Sequence, residues 1–284
     1  MRAVEECYAC LDRLIVTTAT LATDVPELRE KALAAGRAVL EAEFSPDRIP
    51  AQIAAAAQRV IRETAQNPDP FKKVKEGELA LSARVVGEVS PSVSDDWTSL
   101  FRLAALGNSI DFFRDLATVA AEMRMPVEFY IDEIPAFLDR LAGVRCLLFL
   151  TDNAGECYFD LPLFRRLAAA VEEAVYVVKG APVQNDLTLA DLEASGLREA
   201  FRRVETTGTD SPGLDLEAAS PAFRALYERA DLILAKGMGY FESFSEMNDR
   251  RVFFLLKAKC RPVAAALGVP QGSFVAAFSR AWEG

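Results

Sequence analysis

Three short polar runs carry the side chains best suited to chemistry: Asp152-Asn153, then Gln184-Asn185-Asp186 a few residues after Lys179, and Lys236-Gly237. Together they supply two carboxylates, several amide oxygens and two ammonium groups. Carboxylates and amide carbonyls are hard oxygen donors, the kind that hold Mg²⁺ or Mn²⁺. A lysine beside such a cation acts as a point charge on phosphate oxygens. Gly155 and the helix start after it can turn backbone N–H groups toward the same anion. The set suits metal-assisted phosphoryl transfer or hydrolysis. Each run alone has a plainer reading. Asp and Asn after a strand commonly form turns or helix caps, and Lys-Gly is ordinary loop chemistry.

Absences narrow the chemistry further. The chain has no histidine, which removes a Ser-His-Asp triad, a Cys-His pair and His-ligated zinc. General acid–base work then falls to Asp, Glu, Lys, Tyr, Cys or metal-bound water. No GxGxxG follows the first strand and no GxxxxGK[ST] occurs, so neither a dinucleotide fold nor a P-loop is supported. A haloacid dehalogenase-like phosphatase wants Asp-x-Asp after its first strand, where this chain has Ala154 as the third residue.

The polar runs follow short apolar segments, which must position them. Arg145–Leu150 leads to Asp152, Ala174–Val178 to Lys179, and Asp231–Ala235 to Lys236; Phe201–Glu205 and Arg251–Leu256 are further strand candidates. Asp160–Ala170 reads as a helix, capped by Asp160 with Pro162 in its first turn. Strands alternating with helices imply right-handed βαβ units and a parallel sheet covered on both faces. Ligands of such sheets bind beyond the carboxyl ends of the strands.

Upstream the pattern is helical. Leu28, Ala32, Ala35 and Val39 line one face, and Ile49, Ile53, Ala56 and Val60 another, with Ser45-Pro46 as cap and first turn. Asn67-Pro68-Asp69-Pro70 breaks the pattern, which resumes over Glu76–Val89, Trp97–Leu106, Phe112–Met123 and Asp132–Leu141. The expected fold is α/β: a mainly helical domain over residues 1–143, then a doubly wound three-layer α/β/α domain with a mostly parallel sheet over 144–284.

Net charge is −10, with 42 acidic against 32 basic residues, and hydrophobic residues make up 51%. An acidic chain argues against nucleic acid or an anionic membrane as partner. The N-terminal residues lack a signal-peptide pattern and no apolar run is long enough to span a membrane, so a cytoplasmic location is expected. Five cysteines do not resemble a secreted disulfide framework. Cys7 and Cys10 share a face if their segment is helical. Joined to Cys260 they read as a second metal or redox site, though a closed zinc site would need another donor; the other reading is small, partly buried core residues. Cys146 reads as core, and Cys157 lacks the histidine partner of a nucleophile.

Four motifs occur in order: Gly107-Asn108-Ser109-Ile110-Asp111, the LTDNAGE run from Leu150 to Glu156, the KGAPVQND run from Lys179 to Asp186, and the AKGMGYFE run from Ala235 to Glu242. With Asn67–Lys73, Cys7-x-x-Cys10 and Lys259-Cys260, they resemble the damage-control phosphatase family, formerly a domain of unknown function and also called acidic-residue methyltransferase-like, in its mainly prokaryotic branch. The resemblance implies a helical domain packed on an α/β/α domain and a divalent cation, with Mn²⁺, Ni²⁺, Co²⁺ and Mg²⁺ as candidates. It makes Asp152, Asn153 and Asp186 the metal ligands and Lys236 the phosphate contact. Asn108 and Asp111 would reach the site from the helical region, where a helix cap and its neighbour is their plainer reading. Glu156 and Glu242 are further members, with Glu242 read as supporting or structural. The implied activity is hydrolysis of phosphate esters of small damaged or surplus metabolites, with metal-bound water or Asp152 as nucleophile. The alternatives are an adenosylmethionine-dependent protein carboxyl methyltransferase, for which no glycine-rich loop follows the first strand, and a non-catalytic metal or phosphometabolite binder.

Overall fold

The computed structural model describes residues 1–109, 118, 121 and 125–280. Three helices open the chain: α1 (Glu5–Ala22), α2 (Pro26–Glu43) and α3 (Pro50–Ala65). They enclose a core of Leu11, Ile15, Ala32, Leu40, Ile53, Ile61 and Phe71. The buried line on α2 is Ala32, Gly36 and Leu40 rather than the expected Ala35 and Val39. Gly36 is the reason: a β-carbon there would lie 2.7 Å from Ile61 and 2.9 Å from Ile15, so the bare backbone is itself the packing surface. Nor does α3 start at Ser45-Pro46. Ser45 closes a turn by accepting the Arg48 N–H at 3.1 Å. The helix begins at Pro50, with Ile49 extended before it, because proline suits the first helical position and disfavours helix in the residue before it.

Two helices follow, α4 (Lys72–Val89) and α5 (Trp97–Gly107). The candidate Asp111 and, apart from residues 118 and 121, the helical reading over 112–123 lie outside the described residues. Then come β1 (Phe129–Asp132), α6 (Ile134–Leu141), β2 (Cys146–Leu150), α7 (Cys157–Ala170), β3 (Glu173–Val178), α8 (Leu189–Ala194) and β4 (Val204–Thr206). The chain ends with α9 (Pro221–Arg229), β5 (Leu232–Lys236), α10 (Gly237–Phe244), β6 (Val252–Lys257), α11 (Arg261–Leu267) and β7 (Phe274–Phe278).

The seven strands form one sheet in the order β1-β7-β6-β5-β2-β3-β4. All pairs are parallel except β6 with β7. Strands β1 and β7 do not stand out in the sequence. The edge strand β1 alternates half-buried with exposed residues, and β7 carries two central alanines, which have weak strand preference. The sheet therefore starts upstream of position 143, where the sequence texture changes. Strand β2 is buried along its whole length. Its Leu147 and Phe149 face a core shared with Leu79 of α4, Phe101 of α5, Phe137 of α6 and Phe164 of α7. Its Leu148 and Leu150 face the opposite core, with Phe223 of α9, Phe241 of α10 and Val263 of α11. Helices thus cover both faces, as period-two alternation in a buried parallel sheet requires.

The topology marks where a ligand should sit. From β2 the chain steps outward to β3 and β4, then returns across the sheet to place β5 on the other side of β2. The order reverses at β2, and the crevice beyond the carboxyl ends of β2, β3 and β5 is the switch point of an open α/β sheet. Among the described residues no helix is long and apolar enough to cross a membrane.

Candidate active site

Asp152 leaves the end of β2 and is held by amides on two sides. Asn108 Nδ2 donates to Asp152 Oδ2 at 2.8 Å and to Glu156 Oε1 at 2.9 Å. Asn153 Nδ2 donates to the same two carboxylates at 3.1 and 2.6 Å. Asn108 also accepts the Lys257 N–H on Oδ1 at 2.9 Å. It is the C-terminal cap residue of α5, and its side chain ties that helix to the ends of β2 and β6.

Backbone bonds stitch the loop after β3 to the same place. Leu187 N–H donates to the Asp152 carbonyl and Ala154 N–H to the Asn185 carbonyl, each at 2.8 Å, and Asn153 and Asp186 form an antiparallel bridge. Asp186 is thereby delivered beside Asp152. Lys179 Nζ donates to the Pro212 carbonyl at 2.7 Å and lies 3.8 Å from the Tyr240 ring centre. It stands 3.4 Å from Asp186 Oδ2 as an ion pair.

Behind this layer lies a fully buried charge network. Lys236 Nζ donates to the Ala104 carbonyl at 2.9 Å, and to Glu156 Oε2 and Asp160 Oδ1 at 2.6 Å each. Tyr176 OH donates to Asp160 Oδ2 at 2.9 Å. All three donors of the Lys236 ammonium are thus committed, and its side chain has no solvent exposure. The structure places Lys236 behind Glu156, not on the cavity wall. Asp160 corrects the sequence reading: α7 begins at Cys157, so Asp160 lies within its first turn and binds a lysine and a tyrosine instead of capping N–H groups. Its signal was present, because Glu156 and Asp160 are four residues apart and share a helix face.

The electrostatics follow from burial and these partners. Burial, reinforced by Glu156, pushes Asp152 up to about 6, while Lys259, Lys179 and Asn108 oppose the shift. Burial also raises Asp186 well above the ordinary range against Lys179. For Glu156, burial is outweighed by Lys236, which holds the carboxylate below its usual value. Burial takes Asp160 up to about 7 in spite of Lys236.

A cavity of about 670 Å³ opens in front of Asp152, Asn153, Asn185 and Asp186. Cys10, Arg13, Gln271, Glu242, Lys259 and Cys260 also line it. Lys259 lies just past the carboxyl end of β6, the rule that marked the other runs, yet the sequence reading noted it only as the neighbour of Cys260. Burial raises Glu242 to about 7, opposed by the N-terminal ammonium and the Ala51 N–H.

Two buried oxygens of cavity-lining residues make no hydrogen bond: Asn185 Oδ1 and Asp186 Oδ2, the latter meeting the Lys179 ammonium only as an ion pair at 3.4 Å. Their residues are 1% and 2% exposed, so water does not compensate them fully, and such orphans are uncommon. Asn185 is aimed by Glu78 of α4, whose carboxylate accepts both contacts of its NH₂ group at 2.8 and 3.0 Å. Orphaned oxygens beside the Asp152 carboxylate form a hard donor set of the type that suits a divalent cation. Among the described residues no three acidic, cysteine or histidine side chains converge to enclose a metal, so a cation here would draw on amide oxygens as well.

A family model described as the damage-control phosphatase ARMT1-like domain matches residues 3–275. The chain belongs to this family. Damage-control phosphatase PH1575 of Pyrococcus horikoshii is 33% identical to it over 281 residues, covering 97% of both chains. A damage-control phosphatase of Archaeoglobus fulgidus is 27% identical, over 95% of this chain and 96% of that one. The crystal structure of a DUF89 family protein from Pyrococcus horikoshii superposes with a TM-score of 0.89 at 30% identity, covering 99% of this chain and 100% of that one. In this damage-control phosphatase ARMT1-like protein, residues of three of the ordered motifs line the cavity at the switch point, and the fourth reaches Asp152 through Asn108.

Proposed function

We propose that the protein is a divalent-metal-dependent phosphatase acting on a small phosphorylated metabolite. The observation that carries this reading is the pair of buried oxygens without a hydrogen bond on Asn185 and Asp186, two residues that line the cavity together with Asp152. The names of its relatives as damage-control phosphatases support the reaction class. The cation, Mn²⁺, Ni²⁺, Co²⁺ or Mg²⁺, would be held by Asp152, Asn153 and Asp186, with Asn185 Oδ1 as a further donor. When bound, it supplies Lewis-acid polarisation of the phosphate ester.

The chain's own residues do the rest. Lys259, on the cavity wall, offsets charge on the phosphate oxygens. Lys236 positions the site: it fixes Glu156, which with Asn108 and Asn153 orients Asp152. Asn108 binds Asp152 in the same way from the helical region. The cavity volume of about 670 Å³ accommodates sugar phosphates and larger phosphometabolites. The nucleophile is water or Asp152, and a trapped phosphoenzyme would identify Asp152.

Hydrolysis of p-nitrophenyl phosphate with Mn²⁺ and after chelation, by the wild type and Asp152→Ala, tests the reading. Turnover that needs metal and is lost in the variant is expected. Tight metabolite binding without turnover, or adenosylmethionine-dependent labelling of carboxylates, would overturn it.

A further inference from the structure

The turn that delivers Asn185 and Asp186 has a backbone shape that its first central residue disfavours. Val183 to Asp186 form a β-turn, closed by the Asp186 N–H donating to the Val183 carbonyl at 3.1 Å. The first central residue, Gln184, has a φ of +46°, while Asn185 stays out of the left-handed region. That sign pattern favours glycine at the first central position. A residue with a β-carbon adopts it at a cost in free energy. Among the described residues three non-glycine residues have positive φ: Gln66, Gln184 and Asn248. Gln66 caps the C-terminus of α3, where left-handed backbone is common, and asparagine tolerates that region. Gln184 has neither reason.

The surroundings hold this strain in place. Gln58 of α3 is 2% exposed. It accepts the Gln184 N–H on Oε1 at 3.0 Å, and its Nε2 donates to the Ala54 carbonyl at 3.3 Å. One turn further along α3, Arg62 binds the Pro182 carbonyl. On the other flank the Asn185 carbonyl accepts the Ala154 N–H at 2.8 Å. Strained residues persist where their neighbours over-determine them, and they concentrate at binding and catalytic sites. Gln184 lines the cavity together with Asp152, Asn185, Asp186, Ala51 and Ala54. It is half-buried, and among the described residues its hydrogen bond runs through the backbone, with none to the side-chain amide. Glycine would make the same turn with less strain, so the turn by itself does not account for a glutamine there. The amide both donates and accepts, which suits a ligand group that can do the same.

We infer that Gln184 is a specificity-determining residue whose side-chain amide hydrogen-bonds a hydroxyl or amide on the organic part of the phosphate ester. The inference rests on the phosphatase reading and deepens it. The phosphate meets the residues beyond the strand ends, and the group it is esterified to is read one residue before Asn185. A site that hydrogen-bonds a substrate group discriminates against analogues lacking that group, because its own polar group is then left unpaired. Esters whose organic part carries hydroxyls are therefore favoured over esters without them.

The test is kcat/KM with Mn²⁺ for glycerol 2-phosphate and ribose 5-phosphate, each divided by the value for phenyl phosphate, which has no hydrogen-bonding group outside its phosphate. The wild type should prefer at least one hydroxylated ester. In Gln184→Gly, and in Gln184→Met, which keeps the side-chain length without the amide, that preference should fall about three- to tenfold, the worth of one hydrogen bond, and should fall through KM. Gln184→Gly relieves the backbone, so it should unfold at the wild-type temperature or above it. A preference unchanged in both variants, or absent from the wild type, would overturn the inference. So would a lower unfolding temperature in Gln184→Gly, since the glutamine would then serve the turn. If the wild type hydrolyses none of the three esters, the phosphatase reading fails instead. Calorimetric binding of glycerol 2-phosphate against phenyl phosphate, by the wild type and both variants, would then still decide the Gln184 contact.

Discussion

Gly237 faces Asp152 so closely that a β-carbon built on it would lie 2.0 Å from Asp152 Oδ2. Its φ of +81° is also one that side-chain-bearing residues avoid. The end of β5 thus leaves room for the carboxylate of β2 only because position 237 has no side chain. Gly237→Ala should cost at least about 1 kcal/mol from the left-handed backbone alone, and should displace Asp152 from its Asn108 hydrogen bond. Thermal unfolding and kcat measured together check this. A variant with lower stability but unchanged kcat would show that the position of Asp152 does not depend on the glycine.

The Lys236–Glu156–Asp160 network makes a second, separable prediction. Removing one member of a buried ion network leaves uncompensated charge, at a cost of about 3–5 kcal/mol. Lys236→Met should therefore reduce unfolding stability in urea by an amount of that order. Adding Asp160→Asn should recover part of the loss, because Lys236 would no longer leave both carboxylates unpaired. If Lys236 instead met substrate directly, Lys236→Met would raise KM with little change in stability.

These residues also indicate how far the sequence could be read. Strands β2, β3, β5 and β6 are legible because each is a short apolar run ending in polar residues, and residues beyond their carboxyl ends line the cavity. Strand β1 is half exposed at an edge and β7 is alanine-rich, so neither carries a strong strand signal. Asp152 and Asp186 could be paired through the strand-end rule before any coordinates. Lys236 was legible as a cation at that rim, but its orientation was not: a lysine after a strand looks the same whether it faces a cavity or a buried acid. Asp160 was hidden by its resemblance to a helix cap. Asn185 was visible as one amide among several, and only its contact with Glu78, distant in sequence, distinguishes it.

Acid stability should depend on the clamp between the helical region and the loop after β4. Arg59 donates to Asp210 Oδ1 at 2.6 Å and to Oδ2 at 3.2 Å, and Arg62 binds the same carboxylate. Burial works to raise Asp210, but the two arginines prevail and hold it below its ordinary value. A carboxylate depressed in the folded state contributes stability in full above its unfolded pKa of about 3.9. That contribution disappears as pH falls through the lower folded value. Urea midpoints of the wild type should therefore fall more steeply than those of Asp210→Asn as pH drops below about 4. Parallel profiles would show that the clamp contributes nothing to acid sensitivity.

Glu78 tests the proposed metal site without replacing any of the proposed ligands. It is 1% exposed on α4, and its carboxylate holds the Asn185 NH₂ group, which leaves Oδ1 turned away from Glu78 and without a hydrogen bond. Partners of this kind fix a donor's orientation, and their loss costs about 10–100-fold in metal affinity. Glu78→Gln keeps the shape of the side chain but can present its own NH₂ to that of Asn185, which favours an amide flip and turns Oδ1 toward position 78. Calorimetric titration with Mn²⁺ should then show weaker binding, with an unfolding temperature close to that of the wild type. Asn185→Ala should weaken Mn²⁺ binding to a similar degree, and the double variant little further, because both changes remove the same oxygen. Additive losses, or an unchanged Mn²⁺ affinity in Asn185→Ala, would remove Asn185 from the donor set and leave its orphaned oxygen without a ligand role.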